Sequence, residues 1–267
     1  MTSAAARRRS IAGMSLIALT MVAALLSLGI WQLQRRDEKH RLIAALNERL
    51  AAEPVALPAA RDWPALDPGH DEFRRVRFIA TYLKLPDAMV YSSGSAVRDD
   101  VASPGTWAFL PARLPDGRIV VINAGFVPNT MQERGAEDRA VQPLLSGQAA
   151  MLTGYLRFPE RPGLFIPAPN LDKRLWFTRD VPAMAGTLGW DKSSDVAPFY
   201  LDLEAPLPAG GVPKPGPLGV HLRDNHLQYA ITWFGLAVAV LVAFAFWLRS
   251  QTGQAAVSHA KASRRVA

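Results

Sequence analysis

Apolar and polar positions alternate in three different ways along this chain, and each pattern predicts a different kind of element. Two unbroken apolar runs, Ile11 to Leu33 and Leu227 to Leu248, lie at opposite ends. Each exceeds the roughly 20 residues that a helix needs to cross about 30 Å of hydrocarbon, and neither carries a charge or a proline. Both are expected to be transmembrane helices. Past the first run the pattern becomes that of a half-buried helix, with Leu42, Ile43, Leu46 and Leu50 at helical spacing between Gln34 and Ala52, stopped near Pro54.

Beyond a Pro/Ala/Asp linker around Pro54 to Gly69, short runs rich in Val, Ile, Phe and Tyr alternate with turn residues, which predicts strands. They fall at Phe73 to Leu83, Ala88 to Ser95, Thr106 to Leu114, Arg118 to Val127, Ala149 to Phe158, Leu175 to Arg179 and Phe199 to Leu203, with a short helix at Val181 to Leu188. The clearest hairpin turns at Pro115-Asp116-Gly117, where proline and glycine suit a tight reversal. No βαβ alternation is visible. The expected fold is therefore an α+β, mostly antiparallel β domain, barrel- or sandwich-like, flanked by the two membrane helices. The proline-rich stretch Glu204 to Gly219 reads as a semi-rigid lead into the second span. The organisation implied is a tail over 1–10, a membrane helix over 11–33, an extramembrane domain over 34–226, a membrane helix over 227–248 and a tail over 249–267.

Charge changes this picture only by giving it an orientation. The formal charge of +7 would suggest nucleic acid, but the distribution argues otherwise. Arg7, Arg8, Arg9, Arg249, Lys261, Arg264 and Arg265 lie in the tails, while all 23 acidic residues lie between the spans, so the central region is formally neutral. Short positive tails stay cytoplasmic, which predicts a two-pass protein of the inner (plasma) membrane with both termini cytoplasmic and a periplasmic central domain. Arg35, Arg36, Lys39 and Arg41 at the far end of the first span run against that rule, which loses force over a long loop. Arg7 to Arg9 also permit a secretory or twin-arginine signal with a cut near Ser27-Leu28-Gly29. The length of the run and Trp31, Gln32 and Arg35 beyond it favour an uncleaved anchor. Cysteine is absent, which excludes a disulfide framework, thiolate copper delivery and covalent c-type haem attachment.

No nucleophile elbow, zinc helix, phosphate loop or dinucleotide fingerprint occurs, so nothing local points to an enzyme. The segment that stands out is Arg223-Asp224-Asn225-His226-Leu227-Gln228-Tyr229-Ala230-Ile231-Thr232-Trp233-Phe234-Gly235. Asp224 or Asn225 can cap a helix there. His226, Tyr229 and Trp233 then fall at i, i+3 and i+7 on one face. Two readings stand side by side. In one, Tyr229 and Trp233 belong to the interfacial aromatic belt and His226 is an interfacial polar residue. In the other, neutral His226 ligates haem iron, the metal, and the two rings line a slot for the macrocycle. His221 is wrongly spaced for a second ligand on that face, His40 and His70 could join only through folding, and His259 lies in the opposite compartment.

Several blocks together resemble the surfeit-locus (Surf/Shy) family of cytochrome oxidase assembly factors. They are Leu28-Gly29-Ile30-Trp31-Gln32-Leu33-Gln34-Arg35, Gly105-Thr106-Trp107-Ala108-Phe109-Leu110-Pro111, Val120-Val121-Ile122-Asn123-Ala124-Gly125-Phe126-Val127-Pro128, Gly154-Tyr155-Leu156-Arg157-Phe158-Pro159-Glu160 and the segment from Asn225 to Phe234. The resemblance spans nearly the whole chain. It implies a non-catalytic chaperone of respiratory-chain biogenesis that binds haem a transiently and presents it to the catalytic subunit of a haem-copper terminal oxidase. Its implied partners are that subunit, the haem a synthesis machinery and the lipid bilayer, with no nucleic acid, and His226 matches the family's proposed haem ligand. The chain departs from the family at Asn123-Ala124-Gly125-Phe126, where Asn-Arg-Gly-Trp is common, so any role of that arginine or indole is absent or moved. Gly125 reads as a bend or positive φ at a strand end and Asn123 as a turn residue. Gly29 reads as a site of close helix approach. The competing expectation is a scaffold that stabilises an oxidase assembly intermediate through the β domain and both spans without binding haem, so that disrupting the hairpin near Trp107 and Phe109 would impair assembly and His226→Ala would not.

Overall fold

The apolar runs at the two ends form long helices. The structure, a computed structural model, describes residues 2–95, 97–129, 133–192, 195–219 and 224–263. Two units make up the chain, Met1–Leu42 with Arg223–Ala267, and Ile43–Leu222. In the first, α1 (Thr2–Ala51) and α5 (His226–Ser263) are each long and apolar enough to cross a membrane. Only 6% of the most apolar window of each is buried within the protein, so these candidate spans are not core helices of the fold. Helix α1 continues past its apolar part as the periodicity predicts, and its last turns, from Ile43 on, belong to the second unit, where Ile43, Leu46 and Leu50 join a cluster with Tyr155 and Leu218.

That unit is built on one eight-stranded sheet. Its strands are β1 (Val55–Ala56), β2 (Arg75–Tyr82), β3 (Ala88–Ser92), β4 (Gly105–Arg113), β5 (Ile119–Pro128), β6 (Ala150–Arg157), β7 (Leu175–Trp176) and β8 (Val196–Ala205), in the order β1-β2-β6-β8-β5-β4-β3-β7. The β4–β5 hairpin reverses at Pro115-Asp116-Gly117 as expected, with Gly117 at φ +88° and its amide donating to Leu114. A short helix, α4 (Val181–Leu188), is capped at its start by the Asp180 side chain, which accepts from the Ala183 amide, and ends at Gly189 in a left-handed conformation.

One expectation is corrected. The sheet is mixed rather than mostly antiparallel, because β1–β2, β3–β7 and β5–β8 are parallel. Between β5 and β8 the chain makes β6, which pairs with the far edge of β8, so the crossover is hidden from a reading of neighbouring segments. The strands form one mixed sheet, and because β2 also meets β4 at Thr81 and Tyr82, the pairings β2–β6–β8–β5–β4–β2 return on themselves. Both faces of its centre are covered. Ala108, Leu110, Val120 and Ile122 belong to one core cluster, and Trp107, Phe109 and Val121 belong to another together with Val181, Met184 and Trp190. Burial on both faces is why β4 and β5 read as continuous apolar runs instead of alternating ones.

The helix α3 (Arg134–Val141) was not expected: its sequence is polar, and ion pairs of Arg134 with Asp87 and of Asp138 with Arg174 fasten it to its surroundings, while Arg134 also pairs with Glu137 and Asp138 inside the helix. The proline-rich stretch after β8 also differs from the expected lead. Lys214 exchanges backbone hydrogen bonds with Phe126, Gly216 donates to Leu203, and Gly219 donates to Val97, so residues 212–219 form a strap docked on the sheet.

Candidate functional site

In the first unit, the start of α5 meets one face of α1. Asp224 takes the capping role: its Oδ1 accepts from the His226 amide at 2.9 Å, which fixes where the helix begins. Its Oδ2 lies 2.7 Å from His40 Nε2 and 3.7 Å from Arg36 Nε, both on α1. The His226 amide, with the His40 imidazole adding to it, holds the Asp224 carboxyl below the usual carboxylate range. His226 is half-buried, and its Nδ1 is 2.7 Å from the side-chain Oε1 of Gln32. An amide oxygen accepts only, so Nδ1 is the donor in this contact and Nε2 is the ring nitrogen it leaves unused. No described residue pairs with Nε2.

The face of α1 that carries these contacts is Gly29, Gln32, Arg36 and His40, at spacings of three and four. At Gly29 the helices approach so closely that a Cβ there would strike the Phe234 ring. Gln32 is the residue that reading the sequence for chemistry missed: it was taken as interface anchoring, although its place on the same face as Gly29 was visible.

The three predicted site residues fare differently. His226 and Trp233 are half-buried, and the Trp233 indole N–H is enclosed without an acceptor among the described residues. Tyr229 is 54% exposed. No ring contact joins either aromatic to His226 among the described residues. Of the other histidines, His40 is brought to Asp224, with its Nε2 engaged there. His70 pairs with Asp67 in the other unit. His221 and Arg223 lie outside the described residues, as do the side chain of His259 and residues Arg264 and Arg265.

The blocks 120–128 and 154–160 have a different role, inside the sheet. Asn123 is not a turn residue: it is buried on β5 and donates through Nδ2 to Asp202 Oδ1 at 2.6 Å. Asp202 Oδ2 accepts from Arg157 at 2.7 Å, and Arg157 also pairs with Glu72. Burial works against the Arg157 charge, but the Asp202 and Glu72 carboxylates beside it more than offset this, and its pKa is raised. Gly125 has φ +130°, and a Cβ on it would strike the backbone of Lys214 and Pro215 in the strap. The reading of Gly125 as a positive-φ position therefore holds, with close approach as a second reason.

Comparison with known proteins places these features. A sequence model described as the SURF1 family matches residues 19–238, which takes in the greater part of the first apolar run, the whole sheet and the start of α5. The chain belongs to the SURF1 family. It is 30% identical to a SURF1-like protein of Monosiga brevicollis over 99% of this chain and 98% of that protein. It is 32% identical to surfeit locus protein 1 of Rattus norvegicus over 79% of this chain and 68% of that one. A bacterial SURF1-like protein, from Rickettsia bellii, is 24% identical over 85% and 87% of the two chains. The matched SURF1 region includes both Gln32 and His226.

Proposed function

We propose that the protein is a two-pass, inner-membrane assembly factor for a haem-copper terminal oxidase, and that it carries haem a as cargo on His226. The family membership supports the assembly role. The single observation that carries the haem reading is the hydrogen bond from His226 Nδ1 to Gln32, because metal-ligating imidazoles are held in this way through the nitrogen that does not bind metal. The residues fit such a cargo. His226 offers an Nε2 with no partner among the described residues, and Trp233 and Tyr229 add aromatic surface along the same helix. One protein ligand and an exposed Tyr229 make a shallow site, which suits transfer: a carrier with the affinity of the final site could not release its load. In this reading both tails are cytoplasmic, the sheet domain is periplasmic, and the protein performs no catalysis.

The test is the absorption spectrum of detergent-purified protein after co-expression with the haem a pathway. Wild type is expected to carry a stoichiometric haem band and His226→Ala to lose it. Gln32→Leu should bind roughly 10- to 100-fold more weakly, as changes beside a metal ligand generally do. A colourless wild type would overturn the carrier reading.

A scaffold without haem is the second reading, and one observation favours it: Leu164 and Phe165 are 98% and 97% exposed on the loop after β6. Adjacent bare apolar side chains of that size suit contact with another protein.

A further inference from the structure

In the sheet domain a small cavity lies among Arg98, Trp107, Asn123, Arg179 and Asp202, lined also by Gly125 and by Leu218 of the strap. It has about 10 Å³ of room for the centre of a water-sized sphere, enough for one small occupant. Two of its lining groups can only donate: the Trp107 indole N–H and the Arg179 Nε–H. Both atoms are buried, and no described residue accepts from either. Leaving such donors without a partner is costly, so the cavity calls for a hydrogen-bond acceptor.

The charges around it decide which kind. Arg98 and Arg179 lie on the Trp107 ring, each with its guanidinium carbon 5.9 Å from the ring centre. In three of the ion pairs that lead outward from here the cation is the deeper partner, whereas in Lys214–Asp100 the carboxylate is. Arg98 is 3% exposed against 38% for Asp100, Arg179 is 18% against 45% for Glu160, and Arg157 is 10% against 19% for Glu72. Water screens the outer carboxylates more than the inner guanidiniums. Asp202 is the one carboxylate among the cavity's lining residues. One of its oxygens is taken by Arg157 and the other by Asn123. The cavity is therefore lined by two guanidiniums against one carboxylate whose oxygens are both engaged, with two donors unspent.

We infer that this cavity binds a single small monovalent anion of chloride size, held by Trp107 Nε1 and Arg179 Nε between two guanidiniums. The anion fastens the strap over the sheet. Arg98 already donates to the carbonyls of Lys214, Pro215 and Gly216, so neutralising its surroundings stabilises the same contacts. The site is independent of His226 and of any haem.

The experiment is thermal unfolding of the detergent-purified full chain, followed by far-ultraviolet circular dichroism, in chloride against gluconate at constant ionic strength. Gluconate is too large for the cavity. Chloride at a hundredfold excess over its dissociation constant should raise Tm by roughly 5 °C. Trp107→Phe keeps the ring but removes the donor, and it should flatten that dependence. Equal Tm in the two salts would overturn the proposal and leave water as the occupant. An unchanged chloride effect in Trp107→Phe would place the anion elsewhere and overturn it too. Should that variant fail to fold, the chloride NMR linewidth of the wild type decides. Excess broadening that bromide competes away supports the site, and the linewidth of free chloride overturns it.

Discussion

Gly125 meets two demands at once, a φ of +130° and the strap backbone in the space a Cβ would fill. Gly125→Ala is expected to cost about 1–3 kcal/mol from backbone conformation alone, and more as the strap is pushed away. A urea midpoint would show the loss, and an unchanged midpoint would mean that the strap yields freely. The glycine itself was legible as a positive-φ position. Its neighbour was not: Asn123 reads locally as a turn residue, and only the parallel pairing with β8 sets it opposite Asp202. Gln32 and His226 show the same limit from the other side. Each stood in a recognisable block, but 194 positions separate them, and no local pattern joins an amide to an imidazole at that distance.

Among the elements, the strap is the one whose behaviour is most open to titration. Asp100 accepts from Arg98 and pairs with Lys214 Nζ at 2.8 Å, which ties the loop before β4 to the strap. The Arg98 guanidinium, with Lys214 beside it, holds the Asp100 carboxyl well below its usual range. A carboxyl depressed on folding contributes stability that is complete above its unfolded pKa and is lost as pH falls through its folded one. The strap should therefore loosen only below about pH 4, the range of a free carboxyl. Hydrogen exchange at the Lys214 and Gly216 amides would report it. Wild type should exchange more slowly than Asp100→Asn at neutral pH and converge with it in acid, whereas a gap that persists in acid would remove Asp100 from the role. Proline spacing alone read this element as a lead to the second span, since proline fixes φ but says nothing of what the carbonyls bond to.

For the molecule as a whole, the question is which surface meets a client. Leu164 and Phe165 lie on a Pro/Gly-rich loop and are almost wholly exposed, so replacing both by serine should leave Tm within about 1 °C, because no packing is lost. If the scaffold reading is right, the double variant lowers the yield of assembled oxidase in cells while keeping whatever haem band the wild type shows. Full oxidase yield would sink the loop as a docking surface. His226→Ala is the mirror case: under the carrier reading it loses haem and leaves the sheet domain folded.

What the sequence determined by itself was everything carried by local composition. The two spans, the helix running on to Ala51, most of the strands, the Pro115-Asp116-Gly117 turn, α4 and the family blocks follow from hydrophobic period, turn chemistry and caps, which act within a few residues. Tertiary structure alone decided the parallel partners that make the sheet mixed, the docking of the strap, and the convergence of Arg98, Arg179 and Trp107 on one cavity. Those depend on which distant segments bury each other's apolar faces and satisfy each other's polar groups, and that is a property of the assembled core rather than of any stretch of chain.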